Sequence, residues 1–489
     1  MTAVERTDVT ARRLGAAVPG NRWDLLVPPS DHTWTPTATV SICIPSRNAS
    51  GLPRTLAALG AQTYPLDLIE VVVVDDGSDP PVDLGDGWPF RLRVIRTEPI
   101  GRFGAGLARN AAAAAAGGEI LMFLDADVVP ERQVVEAYAR WFERCPVAVP
   151  LGLCRFVDMD DMTTDELVVA VADGTMAERV AGREVDDQSW RERVFARTDD
   201  LRIEVVDAFR IVIGATLAVS ARQFHAVGGF RDLGIRGIED TELGYRLHAD
   251  GAVLILDRDA RHWHQGGRSL NVQRAAIKAA REPYVERLLP LPGFRRVAAP
   301  PDGPVDTVPV LLVHIDPAGA PSETVAAMAE RIKRHCGTDT RIAASADDLR
   351  ACQPAFAVMS VPATMHWDAT TLSQIVDMFR IRDVGVIRVL RLDGGEPVDI
   401  FRTRALRRAM HALDGAADHA TVVDCVADLF GAWWAHPAHL GLVAADEPAP
   451  ADEDIGEQRP DPGVLMAVTR RICRLGYRVV GKVLRMLAA

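Results

Sequence analysis

Lysine is almost missing from this 489-residue chain, in which arginine supplies nearly all the positive charge. Lys278, Lys333 and Lys482 are its only lysines. Acidic residues outnumber basic ones, and the formal net charge is -12 at pH 7. Because surfaces that bind nucleic acid broadly are basic, this balance argues against a nucleic acid as the partner.

The chain also lacks the marks of a secreted or membrane-spanning protein. Its seven cysteines are scattered and form no Cys-x-x-Cys pair, so neither a disulfide framework nor a zinc site is indicated. The first residues are polar and include acids, unlike a signal peptide. No apolar run approaches the roughly 20 residues needed to span a bilayer. These absences predict a protein of the reducing cytoplasm.

Strand and helix patterns alternate from residue 39 onward. Apolar runs at 40–45, 69–74 and 120–124 are typical of buried strands, and the segments 52–62 and 107–116 are typical of helices. This alternation predicts an α/β fold with a parallel sheet that helices cover on both faces. With 48% hydrophobic residues, a chain of this length is expected to form two or more domains.

Changes in composition divide the chain into six parts. We predict an N-terminal extension (1–36), a first α/β domain (37–288), a proline-rich linker (289–306), a second, smaller α/β domain (307–445), an acidic disordered tether (446–463) and a basic amphipathic helix (464–489).

The second α/β domain echoes the first in its order of elements. A strand at 308–316 is followed by a helix at 323–336 and a further strand at 355–360. The segment after that last strand lacks the acids found at the equivalent place in the first domain. The second domain is therefore either a degenerate repeat of the first or an unrelated small α/β domain.

The predicted C-terminal helix places its basic residues on one side. On a helical projection Arg470, Arg471, Arg474, Arg478, Lys482 and Arg485 share one arc, and apolar residues occupy the rest. Such a helix suits an anionic membrane surface, which predicts a peripheral location at the inner face of the cell membrane. The alternative is a helix that docks on its own protein or on a partner.

Two carboxylates one residue apart, Asp125 and Asp127, follow the apolar run 120–124. Ligands of open α/β sheets gather where such strands end. Paired acids there suit Mg²⁺ or Mn²⁺, and such an ion commonly brings a phosphate-bearing substrate. The alternative is a helix N-cap, a common role of aspartate.

Other segments offer weaker indications. Asp76 ends a second apolar run and could accept a hydrogen bond from a uracil or a ribose, although an Asx turn explains it equally well. The glycine-bearing segment 101–110 contains Arg109 and could hold a diphosphate.

Acids and histidines in the last third of the first domain are also ambiguous. Glu239 and Asp240 begin a predicted helix, where they could act as a base or merely favour the helix dipole. His262 and His264 flank Trp263 in a predicted loop after the strand 253–256, and a histidine there could be structural or a metal ligand.

Taken together, these segments resemble the inverting nucleotide-sugar glycosyltransferases of family 2, which have the GT-A fold. The resemblance covers about residues 38–275 and rests on the segments 40–48, 75–78, 108–110, 124–127, 228–230 and 239–240. It implies a Rossmann-like mixed sheet flanked by helices.

The resemblance also implies roles for individual residues. The nucleotide sugar would be bound by Pro45, Asn48, Asp76, Arg109 and Asp125. The ion, Mn²⁺ or Mg²⁺, would be held by Asp127 and His264, with His262 as the alternative to His264. The catalytic base would be Asp240, with Glu239 beside the acceptor. Two positions depart from the family pattern. Arg47 replaces a common aromatic residue, and Thr216 stands where asparagine is common.

The resemblance predicts a metal-dependent hexosyl- or N-acetylhexosaminyltransferase that uses a nucleotide sugar, with a UDP-sugar as the expected donor. The acceptor would be a hydroxyl of a glycan, a glycolipid or a small molecule, in cell-envelope glycan, glycolipid or polysaccharide synthesis. Two alternatives stay open: a nucleotidyltransferase, which also uses paired carboxylates, and a non-catalytic scaffold that binds a glycan or a partner.

Overall fold

The computed structural model describes residues 15–29, 34–98, 104–185, 189–235, 237–267, 274–291, 307–350, 354–413 and 417–442. The predicted acidic tether and C-terminal amphipathic helix lie outside these residues, as does most of the proline-rich linker. In the described part, no helix is both long enough and apolar enough to cross a bilayer.

The first sheet is mixed and has eight strands. These are β1 (Val40–Ser46), β2 (Ile69–Asp76), β3 (Arg91–Thr97), β4 (Ile120–Leu124), β5 (Val128–Pro130), β6 (Ala148–Val157), β7 (Thr216–Ser220) and β8 (Val253–Gln265). They lie in the order β3-β2-β1-β4-β7-β6-β8-β5. The first four strands are parallel where they pair, β7 is antiparallel to β4 and β6, and β5 is antiparallel to β8.

Helices cover both faces of this sheet, as predicted. They are α1 (Leu52–Leu59), α2 (Ala105–Ala115), α3 (Val134–Phe142), α4 (Thr164–Asp173), α5 (Met176–Arg179), α6 (Ser189–Arg197), α7 (Ala221–Ala226), α8 (Glu239–Ala249) and α9 (Arg274–Leu288). Alternate side chains of β2 point to opposite faces. Val71 and Val73 pack with α1 and α3, whereas Val72 and Val74 pack with α2, α7 and α8. The α/β prediction is thus confirmed.

A second sheet of six strands follows in the chain. Its elements are β9 (Leu311–Asp316), α10 (Ser322–Cys336), β10 (Thr340–Ala343), α11 (Ala346–Arg350), β11 (Ala357–Pro362), α12 (Thr371–Arg382), β12 (Val386–Val389), β13 (Val398–Arg402), α13 (Thr403–Leu413), α14 (His419–Phe430) and β14 (Ala432–Ala435). The strands lie in the order β10-β9-β11-β13-β12-β14.

The second sheet repeats the topology of the first. Without β3 and β5, the first sheet reads β2-β1-β4-β7-β6-β8, which matches the second sheet strand for strand in chain order. The directions also agree, because β13 is antiparallel to both neighbours and β14 is parallel to β12. The strands β9 and β11 are therefore the counterparts of β1 and β4. This agreement favours the degenerate repeat over an unrelated domain.

The two sheets differ most between their fourth and fifth shared strands. In the first sheet, residues 158–215 connect β6 to β7 and include α4, α5 and α6. In the second, only residues 390–397 connect β12 to β13. The long insertion is thus specific to the first domain.

A buried cluster of arginines joins the two sheets. Arg404 of α13 donates to both carboxylate oxygens of Glu204 at 2.6 and 2.8 Å and to the carbonyl of Ala252 at 2.8 Å. Arg408 donates to the carbonyls of Gly251 and Ala252. The helix α13 therefore binds the C-terminal end of α8.

The described part of the N-terminal extension also lies in this interface. Asn21 is buried and donates to the carbonyls of Leu201 and Leu254, both at 2.7 Å. The amide of Gly20 donates to the carbonyl of Leu429 in the second domain at 2.9 Å. Residues 15–29 are thus an integral part of the fold.

One local prediction was wrong. The segment 261–265 is not a loop but the end of β8, which runs on to Gln265 and pairs with β5. The charged residues Asp257, Arg258 and Asp259 interrupt the apolar pattern of this strand, which made it look shorter than it is.

Candidate active site

Three side chains at the ends of β4 and β8 converge on one point. Asp125 and Asp127 follow β4, and His264 lies near the end of β8. One ligand atom from each lies within 4.8 Å of the other two. The Nε2 atom of His264 lies 3.4 Å from Oδ1 of Asp127. Two carboxylates and one imidazole at this spacing can hold a divalent cation.

The sheet determines which histidine reaches this point. The pairing of β5 with β8 sets Val128 opposite His264, close to Asp127. The imidazole of His264 stacks on Phe156 with ring centroids 4.3 Å apart. Its Nδ1 lies 3.2 Å from the carbonyl of Gln265, so Nε2 is the atom near the acids.

His262, the alternative ligand, has a different environment. It is 1% exposed, and its Nδ1 lies 3.3 Å from the carbonyl of Leu153. Burial lowers the pKa of His262 to about 3, so the ring is neutral. Its ring stacks on Tyr138 within the core. His262 is therefore absent from the group of potential metal ligands, which contains His264 instead.

Arg109 of α2 links the acids of this site. Its guanidinium donates to Oδ1 of Asp125 at 2.6 Å, and Nη1 lies 3.6 Å from Oδ1 of Asp240. Burial opposes its charge, but Asp125, Asp240 and Glu239 together raise the pKa of Arg109. Its guanidinium also lies 5.4 Å from the ring centre of Phe230. Arg109 thus stays charged between the end of β4 and the start of α8.

Asp240 lies at the start of α8 with an altered acidity. Burial, and then the neighbouring Glu239, raise the pKa of Asp240 to about 7, against the opposing charge of Arg109. Its Oδ1 is buried without a hydrogen-bond partner in the described part of the chain. A carboxylate with a pKa near neutrality suits a general base.

Glu239 points elsewhere. Its Oε2 accepts from the backbone amides of Gly237 at 2.6 Å and Ile238 at 2.9 Å. The side chain is therefore engaged with its own turn at the start of α8. Its role as a residue beside the acceptor stays a prediction.

The two acids at the end of β2 have different surroundings. Asp75 accepts from the amides of Ser78 at 2.7 Å and Val82 at 3.1 Å, so it stabilises the turn after the strand. Among the described residues Asp76 makes no such turn contact, and burial raises its pKa above the ordinary value. A Cβ atom on Gly104 would lie 3.0 Å from the Asp76 carboxylate. Glycine there lets the start of α2 approach Asp76 closely.

The residues predicted at the end of β1 lie beside this turn. Pro45 is in β1 opposite Val74, and Asn48 follows the strand with a positive φ of 50°. The amide of Asn48 donates to Oγ of Ser78 at 2.9 Å, and its Oδ1 accepts from the amide of Asp79 at 2.9 Å. Asn48 therefore connects the ends of β1 and β2.

Some contributors to the site were not singled out from the sequence. Asn110 holds the backbone of Phe230 by two hydrogen bonds of 2.7 and 2.8 Å, which fixes the ring under Arg109. A Cβ atom on Gly214 would lie 2.5 Å from Oδ1 of Asp240 and 2.9 Å from Arg109. In the sequence, Asn110 and Phe230 were indicated only as members of the segments 108–110 and 228–230, and Gly214 only by its closeness to Thr216.

The Glycosyl transferase family 2 model matches residues 41–198. Validoxylamine A glucosyltransferase of Streptomyces hygroscopicus subsp. jinggangensis is 35% identical over 238 residues, which cover 45% of this chain and 54% of that protein. Chondroitin synthase of Pasteurella multocida is 26% identical over 296 residues, covering 56% and 30% of the two chains. This chain spans about half the length of the validoxylamine A enzymes that it matches.

Two solved structures align with part of this chain at low TM-scores. S. aureus TarS 1-349 in complex with UDP-GlcNAc aligns with a TM-score of 0.34 and 18% identity, over 48% of this chain and 60% of that one. The mannosyltransferase PcManGT of Pyrobaculum calidifontis, in complex with GDP-Man and Mn2+, has a TM-score of 0.33 and 21% identity, over 57% and 73%.

Proposed function

We propose that this chain, whose residues 41–198 match the Glycosyl transferase family 2 model, is a metal-dependent inverting glycosyltransferase. It transfers one hexosyl or N-acetylhexosaminyl group from a nucleotide sugar, with a UDP-sugar as the expected donor, to a hydroxyl group. The observation that carries this proposal is the meeting of Asp125, Asp127 and His264, with Arg109 between Asp125 and Asp240. Support also comes from relatives named as glycosyltransferases.

The metal in this proposal is Mn²⁺ or Mg²⁺, held by Asp127 and His264. The fit rests on the Asp127 carboxylate and the His264 imidazole, whose Oδ1 and Nε2 lie 3.4 Å apart, with a carboxylate oxygen of Asp125 within 4.8 Å of both residues' ligand atoms. A divalent ion held there would offset the negative charge of the departing nucleoside diphosphate. Asp125 is also held by Arg109, which leaves it suited to the ribose role that the family resemblance implies.

The nucleotide in this proposal occupies the ends of β1 and β2. Pro45 and Asn48 line one side, and the carboxylate of Asp76 accepts a hydrogen bond from the base. Asp75 is already used by the turn, so Asp76 is the better candidate of the two. Arg109 is the nearby positive charge toward the diphosphate, and its pKa is raised rather than lowered by its surroundings.

The chemical step in this proposal uses Asp240 as the base. Its carboxylate takes the proton from the acceptor hydroxyl while that oxygen attacks the anomeric carbon. The bond between the anomeric carbon and the diphosphate oxygen breaks on the opposite face, and the nucleoside diphosphate leaves with the bonding electrons. A pKa of about 7 lets Asp240 be ionised before the step and protonated after it near neutral pH. Glu239 supports the turn that presents Asp240.

A binding experiment tests the donor and metal part of the proposal. We expect calorimetry to show binding of UDP, GDP or dTDP that depends on Mn²⁺, and Asp127→Asn to weaken it at least about tenfold. The matched control is Asp161→Asn, which removes an exposed acid that pairs with Arg183. Failure to bind any of these nucleotides, with or without metal, contradicts the proposal.

A product assay tests the reaction itself. Purified protein with nucleotide sugars and Mn²⁺ should release nucleoside diphosphate slowly, whereas pyrophosphate would identify a nucleotidyltransferase. Asp240→Asn should retain nucleotide binding and lose transfer by about 10²–10⁴-fold. Nucleotide binding with no turnover on any acceptor would instead identify a scaffold.

The acceptor and location are also proposals. We place the acceptor among cell-envelope glycans or glycolipids at the inner membrane face, since the sequence 464–489 alternates basic and apolar residues as an interfacial helix does. Deleting 464–489 should move the protein from the membrane fraction to the supernatant in cell fractionation. An unchanged distribution contradicts the membrane part alone.

A further inference from the structure

The second sheet has a pocket at the position equivalent to the candidate metal site of the first sheet, which is formed by Asp125, Asp127 and His264. A pocket of about 560 Å³ lies among the start of α10, the segment 363–366 after β11, the segment 391–393 after β12, and residues after β14. Its volume falls in the range of roughly 300–1,000 Å³ that is common for small-molecule sites.

The four segments that enclose this pocket are the counterparts of the four that meet at the candidate metal site. In the first domain, a Cβ atom on Gly51 before α1 would lie 3.1 Å from Asp127 after β4, and Gln265 of β8 donates to the carbonyl of Gly51 at 3.2 Å. Phe156 of β6 stacks on His264 of β8. The duplicated topology assigns α10, β11, β12 and β14 to the places of α1, β4, β6 and β8. The pocket is therefore the counterpart of the candidate metal site.

The pocket is lined by basic residues, whereas the candidate metal site is acidic. Asp125 and Asp127 follow β4, but the segment 363–366 after β11 has no acid. Arg331 and Arg391 line the pocket instead, with His366 near them. The one carboxylate in the lining, Asp393, forms an ion pair with Arg391. A cation has no ligand set there, whereas an anion has one.

Of the two arginines in the lining, Arg331 is the one available to bind a ligand. It lies on the face of α10 that also presents Thr324, Ala327 and Met328 to the pocket, and it is half-buried. In the described part of the chain it makes no hydrogen bond and no ion pair. A guanidinium in a concave site binds a phosphate or carboxylate through two parallel hydrogen bonds.

The rest of the lining mixes hydroxyl and apolar groups. Thr324 and Thr364 offer hydroxyls, and Met328, Met365 and Leu392 offer apolar surface. Sugars present both hydroxyl groups and C–H faces, so this mixture suits a saccharide. We propose that the pocket binds, without metal, a saccharide that carries a phosphate or a carboxylate, with Arg331 on the anionic group.

Calorimetric titration of the full chain in EDTA tests this proposal. The probes are glucose 1-phosphate, glucuronate, inorganic phosphate and glucose. We expect the two charged sugars to bind, and Arg331→Gln to weaken them at least about tenfold. The matched control is Arg334→Gln on the same helix, which lies outside the pocket and should bind as the wild type does.

A second variant guards against loss of folding. Thr364 is exposed at the pocket, so Thr364→Glu adds a repelling carboxylate without disturbing the core, and it should also weaken binding. Asp127→Asn should leave this binding unchanged, which separates it from the proposed donor site. Tight binding of uncharged glucose, equal affinity for inorganic phosphate, or equal effects of Arg331→Gln and Arg334→Gln would each overturn the proposal.

Discussion

The ion pair between Arg404 and Glu204 is the contact between the two sheets whose removal should cost most. The two side chains are 5% and 14% exposed, and their charged atoms lie 2.6 Å apart. Arg404 also donates to the carbonyls of Ala252 at 2.8 Å and His248 at 3.2 Å. Although burial alone raises the pKa of Glu204, Arg404 and His248 hold it well below its usual value.

We expect Arg404→Met to lower the free energy of unfolding by about 3–5 kcal/mol, because it leaves a buried carboxylate without its partner. At about 3 kcal/mol per M of urea, the unfolding midpoint should fall by about 1–1.7 M. The double variant Glu204→Gln/Arg404→Met should recover part of this loss, because it removes the stranded charge as well. Urea denaturation followed by circular dichroism measures both.

The effect should also depend on pH. The folded-state pKa of Glu204 lies below its ordinary value of 4.5, so its stabilisation is present above pH 4.5 and lost as the pH falls below that. The difference between Arg404→Met and the wild type should therefore shrink between pH 7 and pH 3.

An exposed pair supplies the control for this experiment. Arg202 and Asp199 lie 2.6 Å apart but are 37% and 60% exposed, so Arg202→Met should cost less than about 1 kcal/mol. If Arg404→Met also costs less than about 1 kcal/mol, the interface does not depend on this ion pair and the reasoning is refuted.

Three further predictions concern the first domain. If Asp240 is the base, kcat/KM should rise with pH through about 7, and a flat profile from pH 6 to 8 would contradict that role. Gly214→Ala should reduce turnover at least about tenfold while thermal stability changes little, because the added Cβ would lie 2.9 Å from Arg109 and displace it. The control is Gly117→Ala, whose Cβ meets nothing closer than 3.5 Å and which should leave turnover unchanged. His262 has a pKa of about 3 in the folded protein against an ordinary 6.5, so the folded state loses stability as the pH falls below 6.5. Between pH 7 and pH 5 this loss should amount to about 2 kcal/mol. The variant His262→Gln lacks the titrating ring, so its free energy of unfolding, measured by denaturation at each pH, should fall by about 2 kcal/mol less than that of the wild type over this range.

The central strands could be predicted closely from the sequence. The segment 120–124 is apolar throughout and ends at an acid, and the structure gives β4 those same bounds. In contrast, β3 at Arg91–Thr97 was not predicted, because it is an edge strand with arginines at three of its positions and exposed side chains. Edge strands lack the continuous burial that makes central strands recognisable.

The site was predictable to the extent that its residues follow strand ends. Asp125 and Asp127 were identified in this way, and the end of β8 brings His264 to them. The choice between the two histidines depended on the pairing of β5 with β8, which is a long-range contact. The orientation of Glu239 toward its own backbone is a local side-chain conformation that the spacing of acids cannot reveal.

The arginine cluster of α13 could not be foreseen for a different reason. Arg404, Arg407 and Arg408 within one helix are typical of a solvent-exposed face, yet Arg404 and Arg408 are buried. Their partners are backbone carbonyls and acids about 150 to 200 residues earlier in the chain. Only the packing of α13 on α8 brings these groups together.

This packing gives the second sheet a part in the geometry of the candidate active site. The helix α8 carries Asp240 at its start, and at its other end Asp250 accepts from Arg407 at 2.6 Å while Ala252 accepts from Arg408 at 2.9 Å. An α-helix of this length spans about 16 Å and bends little, so anchoring one end restricts movement of the other. The segment 363–366 after β11 lacks the acids that follow β4, but α13 supports the helix that bears the proposed base.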